Sequence, residues 1–321
     1  MNHDESRVCA VVVTFHPDEG VVARLRDVGS QVSRVIIVDN TEGGQTSFLD
    51  QVSSDPKFDI LRNDRNLGPA SALNMGIGRG IDLGFQYVLM LDQDSAPQPG
   101  MVETLLGTYR HHPERDRIAI VAPQAVDPSV GTRPRFLRRR SRLIYELAPC
   151  QNETLEDVSI VIASGSLLPT SVFLALGPFR EDFFIDYIDT EFCLRALSQG
   201  YRIIVACEAR MHHRLGEKRK VMWGPFVLFP TMHAPSRWYY MSRNRIPMLR
   251  AYALRFPHWC AFEILLSTYG MIRMLLTEHE RKPKFAAFVR GTWHGLRGRM
   301  GPKPGSPEEV QGANGQNHVA A

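Results

Sequence analysis

Two aspartates one residue apart, Asp92 and Asp94, end the apolar run in "YVLMLDQDSAPQPG" (residues 87–100). Carboxylates this close repel each other, and burying either is costly unless it is paired or binds a cation. Hard oxygen donors of this kind suit a divalent ion whose remaining positions are filled by phosphate oxygens. The competing reading is a polar strand end running into a proline-rich turn. Other apolar runs close on polar groups in the same way, at Thr14, at Asp39-Asn40 and at Asn63. Asp39 is placed to accept hydrogen bonds from a base or ribose. "NDRNLGPASALNMG" (63–76) supplies amides and close backbone approach where a helix begins. Together these features describe a pocket for a nucleotide diphosphate.

The elements that must carry these residues are legible from their patterns. β-rich runs at 8–15, 34–40, 58–63, 86–92 and 118–123 alternate with helical spacing, which predicts an α/β fold whose parallel sheet is covered on both faces. Ligands of such sheets sit outside the carboxyl ends of the strands. A helical segment follows Pro17, and Gly68 with Pro69 mark a helix start. "GIGRGIDLG" lacks the third glycine of a dinucleotide fingerprint and follows a helix, so nicotinamide chemistry is not indicated. Residues 125–157 read as a long basic loop, and "VSIVIASGSLLP" (158–169) as a strand ending in a Ser-Gly turn. A helix from about Asp186 to Gly200, a strand from Tyr201 and a helix broken or kinked at Pro247 follow.

The 321 residues are 44% hydrophobic and 22% charged, as in an ordinary globular enzyme. The net charge of +4 is uneven: the first hundred residues carry more acid than base, whereas "RPRFLRRRSR" (133–142) holds six arginines in ten positions. That cluster is a solvated loop or a contact for anionic lipid, a phosphorylated substrate or, last, nucleic acid, for which no recognisable module is present. Five cysteines without a CxxC pair predict neither a disulfide framework nor a zinc site and fit a reducing cytoplasm. The N-terminus lacks a signal-peptide pattern. "WCAFEILLSTYGMIRMLL" (259–276) is interrupted by Glu263 and Arg273, so it reads as a helix buried or lying at a membrane surface, not as a crossing.

The series "VVVTFHP", "IIVDN", "NDRNLGPASALNMG" and "LMLDQDS" resembles family 2 inverting glycosyltransferases of the GT-A fold. With "FFIDYIDTEFCLRA" and "HHRLGE", it is similar to bacterial rhamnosyltransferases of surface-polysaccharide assembly, over roughly residues 8 to 250. The resemblance implies that Thr14, Phe15 and Pro17 line the nucleotide pocket, Asp39 contacts the donor base, and Asp92 the ribose or phosphate region. It implies Mg2+ or Mn2+ on Asp94, with His213 near the metal or diphosphate and His212 in reserve. Asn66, Gly68 and Asn74 match the family's asparagine-glycine segment, although Pro69 replaces an aliphatic residue. Arg243 and Asn244 resemble an Arg-Asn pair directed at donor or lipid diphosphate. Ser164-Gly165 would form an acceptor-side wall, Trp238, Tyr239 and Tyr240 read as packing residues, and "EKRKVMWG" as a loop that closes over the donor or a solvated basic loop.

Inverting transfer needs one carboxylate to take the proton of the attacking hydroxyl. Aligned on Cys193-Leu194-Arg195, that base is Asp189, with Ile188 in place of the usual acidic neighbour and with Asp186 and Glu191 as rivals. Asp186 and Asp189 also suit a helix cap and a first helical turn. The implied donor is a dTDP-sugar, dTDP-L-rhamnose first and UDP-galactofuranose, UDP-glucose or UDP-N-acetylglucosamine otherwise. The implied acceptor is a lipid-linked saccharide at the cytoplasmic face of an anionic membrane. A non-catalytic nucleotide-sugar-binding subunit of a polysaccharide complex is the reading from another class, and an oligomer is left open. The expected organisation is a GT-A catalytic domain over 1–235, with a nucleotide-sugar half at 8–124 and an acceptor half at 158–217. A helical region at 236–297 and a disordered tail at 298–321 complete it.

Overall fold

A computed structural model describes residues 8–43, 47–126, 134–140, 144–151, 153–212, 221–223, 226–228, 232–303 and 305. The chain divides into two compact units, Met1–Glu181 with Asp189–Arg214, and Asp182–Ile188 with Leu215–Ala321.

The first unit is a mixed sheet wrapped by helices. Its elements are β1 (Val8–Thr14), α1 (Val21–Gly29), β2 (Arg34–Asp39), α2 (Ser47–Asp50), β3 (Phe58–Arg62), α3 (Pro69–Asp82), β4 (Tyr87–Asp92), β5 (Ala96–Pro97), α4 (Met101–His111) and β6 (Ile118–Val126). There follow β7 (Arg135–Arg139), β8 (Tyr145–Pro149), β9 (Thr154–Leu155), β10 (Leu167–Pro169), α5 (Thr170–Leu176), α6 (Ile188–Ser198) and β11 (Arg202–His212). The sheet order is β3-β2-β1-β4-β10-β6-β11-β5, with β9 also on β11. β3, β2, β1 and β4 are parallel, and β11 runs parallel to β6. β10 is antiparallel to both β4 and β6, so those two point the same way.

β1 shows why both faces are covered. Val8, Ala10 and Val12 join Val21, Leu25, Met101 and Leu105 of α1 and α4 in one core cluster. Cys9 and Val11 face α3, which approaches so closely that a Cβ at Gly76 would lie 2.3 Å from Val11 Cγ1 and one at Gly80 2.8 Å from Cys9 Sγ. Gly76 and Gly80, the outer glycines of "GIGRG", therefore serve helix–sheet packing. Burial pushes the Cys9 thiol up to about 12, which keeps it unreactive.

Four expectations are corrected. The sheet is mixed, because Gly165 (φ 83°) turns the chain before β10, and only Leu167–Pro169 of the 158–169 run forms a strand. The basic 125–157 segment is not all loop: β7 and β8 pair as an antiparallel hairpin, and Arg138 and Arg140 approach Glu146 at 3.7 and 3.8 Å. Cys150 and Cys207 form a disulfide, because the β11 neighbourhood brings their Cα atoms to 5.5 Å across a 57-residue separation. The fourth concerns Pro247 in the second unit, which does not break the helix that contains it.

That second unit contains a short hairpin, β12 (Val221–Trp223) and β13 (Phe226–Leu228), and three helices, α7 (Pro235–Tyr252), α8 (Pro257–Thr277) and α9 (Arg281–Leu296). α7 and α9 pack backbone to backbone: a Cβ at Gly291 would lie 2.3 Å from the Tyr239 carbonyl oxygen, and one at Gly295 2.4 Å from that of Arg243. The Arg243 carbonyl is the one Pro247 cannot donate to, so the close crossing falls where the helix is missing a bond. Residues past Gly298 are tied down in part, since Gly301 N donates to Asp182 O and Lys303 N to Tyr240 Oη.

Gly76→Ala should destabilise the protein by about 1–3 kcal/mol through overpacking. Gly78→Ala, with nothing within 4 Å, should be neutral or stabilise by up to about 1 kcal/mol; urea unfolding of both variants checks the contrast. Burial, aided by nearby Arg237, holds the His233 imidazole down from its ordinary 6.5 to about 4. The folded state thus excludes a proton that the unfolded chain accepts, and stability is lost as pH falls from about 6.5 to about 4. His233→Gln should flatten that part of the pH dependence of the urea midpoint.

Candidate active site at the carboxyl edge of the sheet

The register of the parallel strands brings the polar strand ends together. Thr14 pairs with Asp39 and Val13 with Asp92. β4 is buried to Leu91, whereas Asp92 and Asp94 are exposed. The strand therefore delivers both acids to the surface just as it leaves the core, and their repulsion is relieved by solvent or by a bound cation.

Asp39 is only 1% exposed. Its Oδ1 accepts from Thr14 Oγ1 at 3.0 Å, Thr41 Oγ1 at 2.7 Å and Thr41 N at 3.1 Å. Three donors on one carboxylate oxygen offset the desolvation of the charge. Thr41 Oγ1 also accepts from His16 N, a residue with φ 44°. The next layer is amide on amide: Asn63 Nδ2 donates to Asn40 Oδ1 at 2.8 Å, and Asn40 Nδ2 to Gly68 O at 3.1 Å. Gly68 N donates to Asn66 Oδ1, and Gly68 (φ 81°, ψ 158°) occupies a region closed to other residues as it caps α3 ahead of Pro69. Phe15 is 41% exposed beside this layer and Pro17 is buried.

The loop that bears Asp94 is locked from two sides. Phe15 N donates to Gln93 Oε1 at 2.7 Å, and Arg24 Nε to Gln93 O at 2.6 Å. Asp92 N donates to Ser164 Oγ at 3.0 Å, and Ser164 Oγ lies 2.6 Å from Ser95 Oγ. Ser164, expected on an acceptor-side wall, thus braces the aspartate turn. Beyond that turn the chain pairs with β11, Ala96 opposite His212, and Gln98 Nε2 lies 3.2 Å from His212 Nε2. His213 follows at this strand end and lies outside the described residues. Among the described residues no group of three or more His, Cys, Asp or Glu forms a ready cage. Two exposed carboxylates are an all-oxygen partial set, which fits a hard ion such as Mg2+ or Mn2+ that takes its other ligands from substrate and water.

The sequence matches the family described as "Glycosyl transferase family 2" over residues 9–177, more than half of its length. The chain belongs to glycosyltransferase family 2. It is 27% identical to the "dTDP-rhamnosyl transferase RfbF" of Shigella flexneri over 301 residues, which cover 92% of this chain and 97% of that protein. It is 28% identical to the "Galactofuranosyltransferase GlfT1" of Mycobacterium tuberculosis (strain CDC 1551 / Oshkosh) over 263 residues, 77% of this chain and 84% of that one. Among solved structures it is similar to "GalNAc-T7 with UDP, GalNAc and Mn2+", with a TM-score of 0.56 and 10% identity, covering 92% of this chain and 57% of that one. These likenesses agree with the GT-A architecture.

In this family 2 glycosyltransferase the expected base, Asp189, is a half-buried residue in the first turn of α6. α6 is anchored through Cys193, whose thiol donates to Val161 O, three residues before the serine that meets Asp92 N. The rival Glu191 is 4% exposed and pairs with Arg195 at 2.8 Å, while Arg195 also donates to the carbonyls of Leu176, Gly177 and Pro178. Its carboxylate is a structural anchor. Asp186, in the second unit, pairs with Arg237 at 3.0 Å, and burial raises its carboxyl above the ordinary range.

Two expected donor contacts are corrected by their surroundings. The Asn74 amide is occupied in joining α3 to the 179–181 segment: Nδ2 donates to Phe179 O and Glu181 Oε1, and Oδ1 accepts from Phe179 N. Arg243 is fully buried within the second unit, and its guanidinium donates to the carbonyls of Asp182, Phe183 and Gly301. Asn244 Nδ2 donates to Phe183 O, Ile185 O and Asp186 O. The Arg-Asn pair thus holds the 182–186 backbone, in which Phe184 and Asp186 have positive φ, and not a diphosphate. Sequence reasoning missed Gln93 and Arg24, whose partners lie 69 and 78 positions off in the chain, and Thr41, which donates to Asp39 two residues before it.

Ser164→Ala should leave the fold standing at a cost of about 1 kcal/mol. It should lower donor turnover roughly tenfold by loosening the Asp92–Ser95 turn; urea unfolding and kcat/KM measured on the same preparation check the two parts.

Proposed function

We propose that this glycosyltransferase moves L-rhamnose from dTDP-L-rhamnose, with inversion, onto a lipid-linked saccharide of a bacterial surface polysaccharide, at the cytoplasmic face of the membrane. The observation that carries the donor assignment is the likeness to the Shigella flexneri protein along nearly the whole of both chains. The chemistry rests on the strand-end constellation.

In this reading Asp39, fixed by Thr14 and Thr41, receives the donor base, with Phe15 and Pro17 along the pocket wall. Asn66 and Gly68 offer backbone at the start of α3, and Asp92 meets the ribose or phosphate region. Asp94 and His213 would hold a divalent cation, which when bound would supply charge neutralisation for the departing diphosphate. Asp189 accepts the proton of the acceptor hydroxyl as its oxygen forms a bond to the anomeric carbon. The bond from that carbon to the phosphate oxygen breaks on the opposite face. Its electron pair leaves with dTDP, and the anomeric configuration inverts. One carboxylate base suffices, because no glycosyl-enzyme intermediate is formed.

Galactofuranosyl transfer by the same residues is the second reading, favoured by the likeness to the mycobacterial protein. Incubation with a panel of dTDP- and UDP-sugars in the presence of Mn2+, followed by NMR of the product, separates the two. Turnover of dTDP-L-rhamnose to the inverted anomer is expected, and preference for a UDP-sugar would reject the rhamnosyl assignment. Asp189→Asn should lower transfer by about 10²–10⁴-fold while dTDP binding stays unchanged. Retained transfer would remove Asp189 from the role of base.

A further inference from the structure

The second unit presents an apolar surface that the transfer chemistry does not use. Of the nineteen large hydrophobic side chains exposed among the described residues, eleven lie on α8 and α9. On α8 the outward stripe runs through Ile264, Leu265, Tyr269, Ile272 and Leu276, and only 6% of its most apolar window is buried. Thr268, exposed within that stripe, donates back to the Ile264 carbonyl, which lowers its demand on water. On α9, Phe285, Val289, Trp293 and Leu296 are each about half exposed, while Ala287, Gly291 and Gly295 turn the other way. A contiguous apolar exposure of this extent marks an interaction surface.

Charge indicates what covers it. No Asp or Glu occurs in α9, whereas Arg281, Lys282 and Arg290 are exposed on it and Arg297 is exposed at its C-cap. The Arg297 guanidinium lies 4.0 Å from the Trp293 ring centroid, and Arg281 Nη2 donates to Leu276 O, which sets a cation at the apolar end of α8. A self-complementary dimer through this face would bring together two sets of α9 cations with only Glu280, exposed at the N-cap of each α9, to answer them. Apolar side chains interleaved with cations match an anionic bilayer.

α8, 21 residues long, is long and apolar enough to cross a membrane, with a mean hydropathy of 1.3 over its most apolar 18 residues. Its bonds favour another placement. Glu263 accepts from Arg245 Nε at 3.1 Å and from Tyr187 Oη, both within the same unit, and Trp259 and Met274 are buried on that inner side. Crossing would break this buried pairing, carrying Glu263 into hydrocarbon and leaving Arg245 behind on α7. We propose that α8 and α9 form a monotopic docking surface for anionic lipid, α8 lying in the interface plane with its inner bonds intact. The inference stands on this unit alone and does not depend on which sugar is transferred.

The full chain should float with vesicles of phosphatidylcholine and phosphatidylglycerol and not with phosphatidylcholine alone, the binding weakening at high salt and being released by alkaline carbonate. Leu265→Glu with Ile272→Glu should reduce flotation at least about tenfold, and Arg290→Glu with Arg297→Glu should remove the preference for anionic lipid. Thermal unfolding and dTDP binding should match the parent in both. Leu174→Glu, at an exposed position of α5, should float like the parent. Failure of the parent to float, flotation unaffected by the α8 substitutions, or resistance to carbonate would each overturn the proposal. So would a dimer seen by light scattering that Leu265→Glu dissociates. Donor turnover reports on the catalytic reading separately.

Discussion

Across the β1–β2 and β1–β4 ladders, Thr14 faces Asp39 and Val13 faces Asp92, and this register is what the candidate site rests on. Because side chains alternate along a strand, a slip of one residue would turn each of these groups to the opposite face. Strands covered on both faces must stay apolar until they leave the core, so chemistry is confined to their ends. The two acidic positions meet that constraint differently. Asp39 stays buried and is paid for by three donors on one oxygen, whereas Asp92 and Asp94 are carried out to the surface. The first is suited to a fixed hydrogen-bonding role and the second pair to a charge that comes and goes with substrate.

Around that register, polar side chains fall into two kinds. Ser164, Gln93, Arg24, Asn40 and Asn63 are occupied with backbone and with each other, and they fix the loops that bear the reactive groups. The second unit repeats the principle: Arg243 and Asn244 gather five main-chain carbonyls between them. A guanidinium with no exposure is tolerable only with such saturation. Its desolvation also lowers its affinity for a proton, in the direction expected of a buried cation.

Near-continuous apolar runs made β1, β2, β3, β4 and β6 legible, and Gly68-Pro69 marked the start of α3. The strand-end acids were legible for the same reason, since each interrupts such a run. β10 was not, because "VSIVIASGSLLP" is apolar throughout and only the left-handed turn at Gly165 breaks it. The uses of Asn74 and Arg243 were hidden for another reason. A residue type that can bind phosphate can equally bind a carbonyl, and the choice is made by partners 58 to 107 positions away. The Cys150–Cys207 pairing, 57 residues apart, belongs to the same class. Glu191 and Asp189 show the limit within one helix: the resemblance put Asp189 first and left Glu191 as a rival close in sequence, and the burial of Glu191 against Arg195 became visible only in the fold.

The central claim is that Asp94, just past the end of β4, holds a nucleoside diphosphate through a divalent cation. Calorimetric titration of dTDP into the protein, with Mn2+ and then with EDTA, tests it most directly. The account predicts binding that requires Mn2+ and is lost in Asp94→Asn; equally tight dTDP binding in EDTA, or binding indifferent to that substitution, would contradict it.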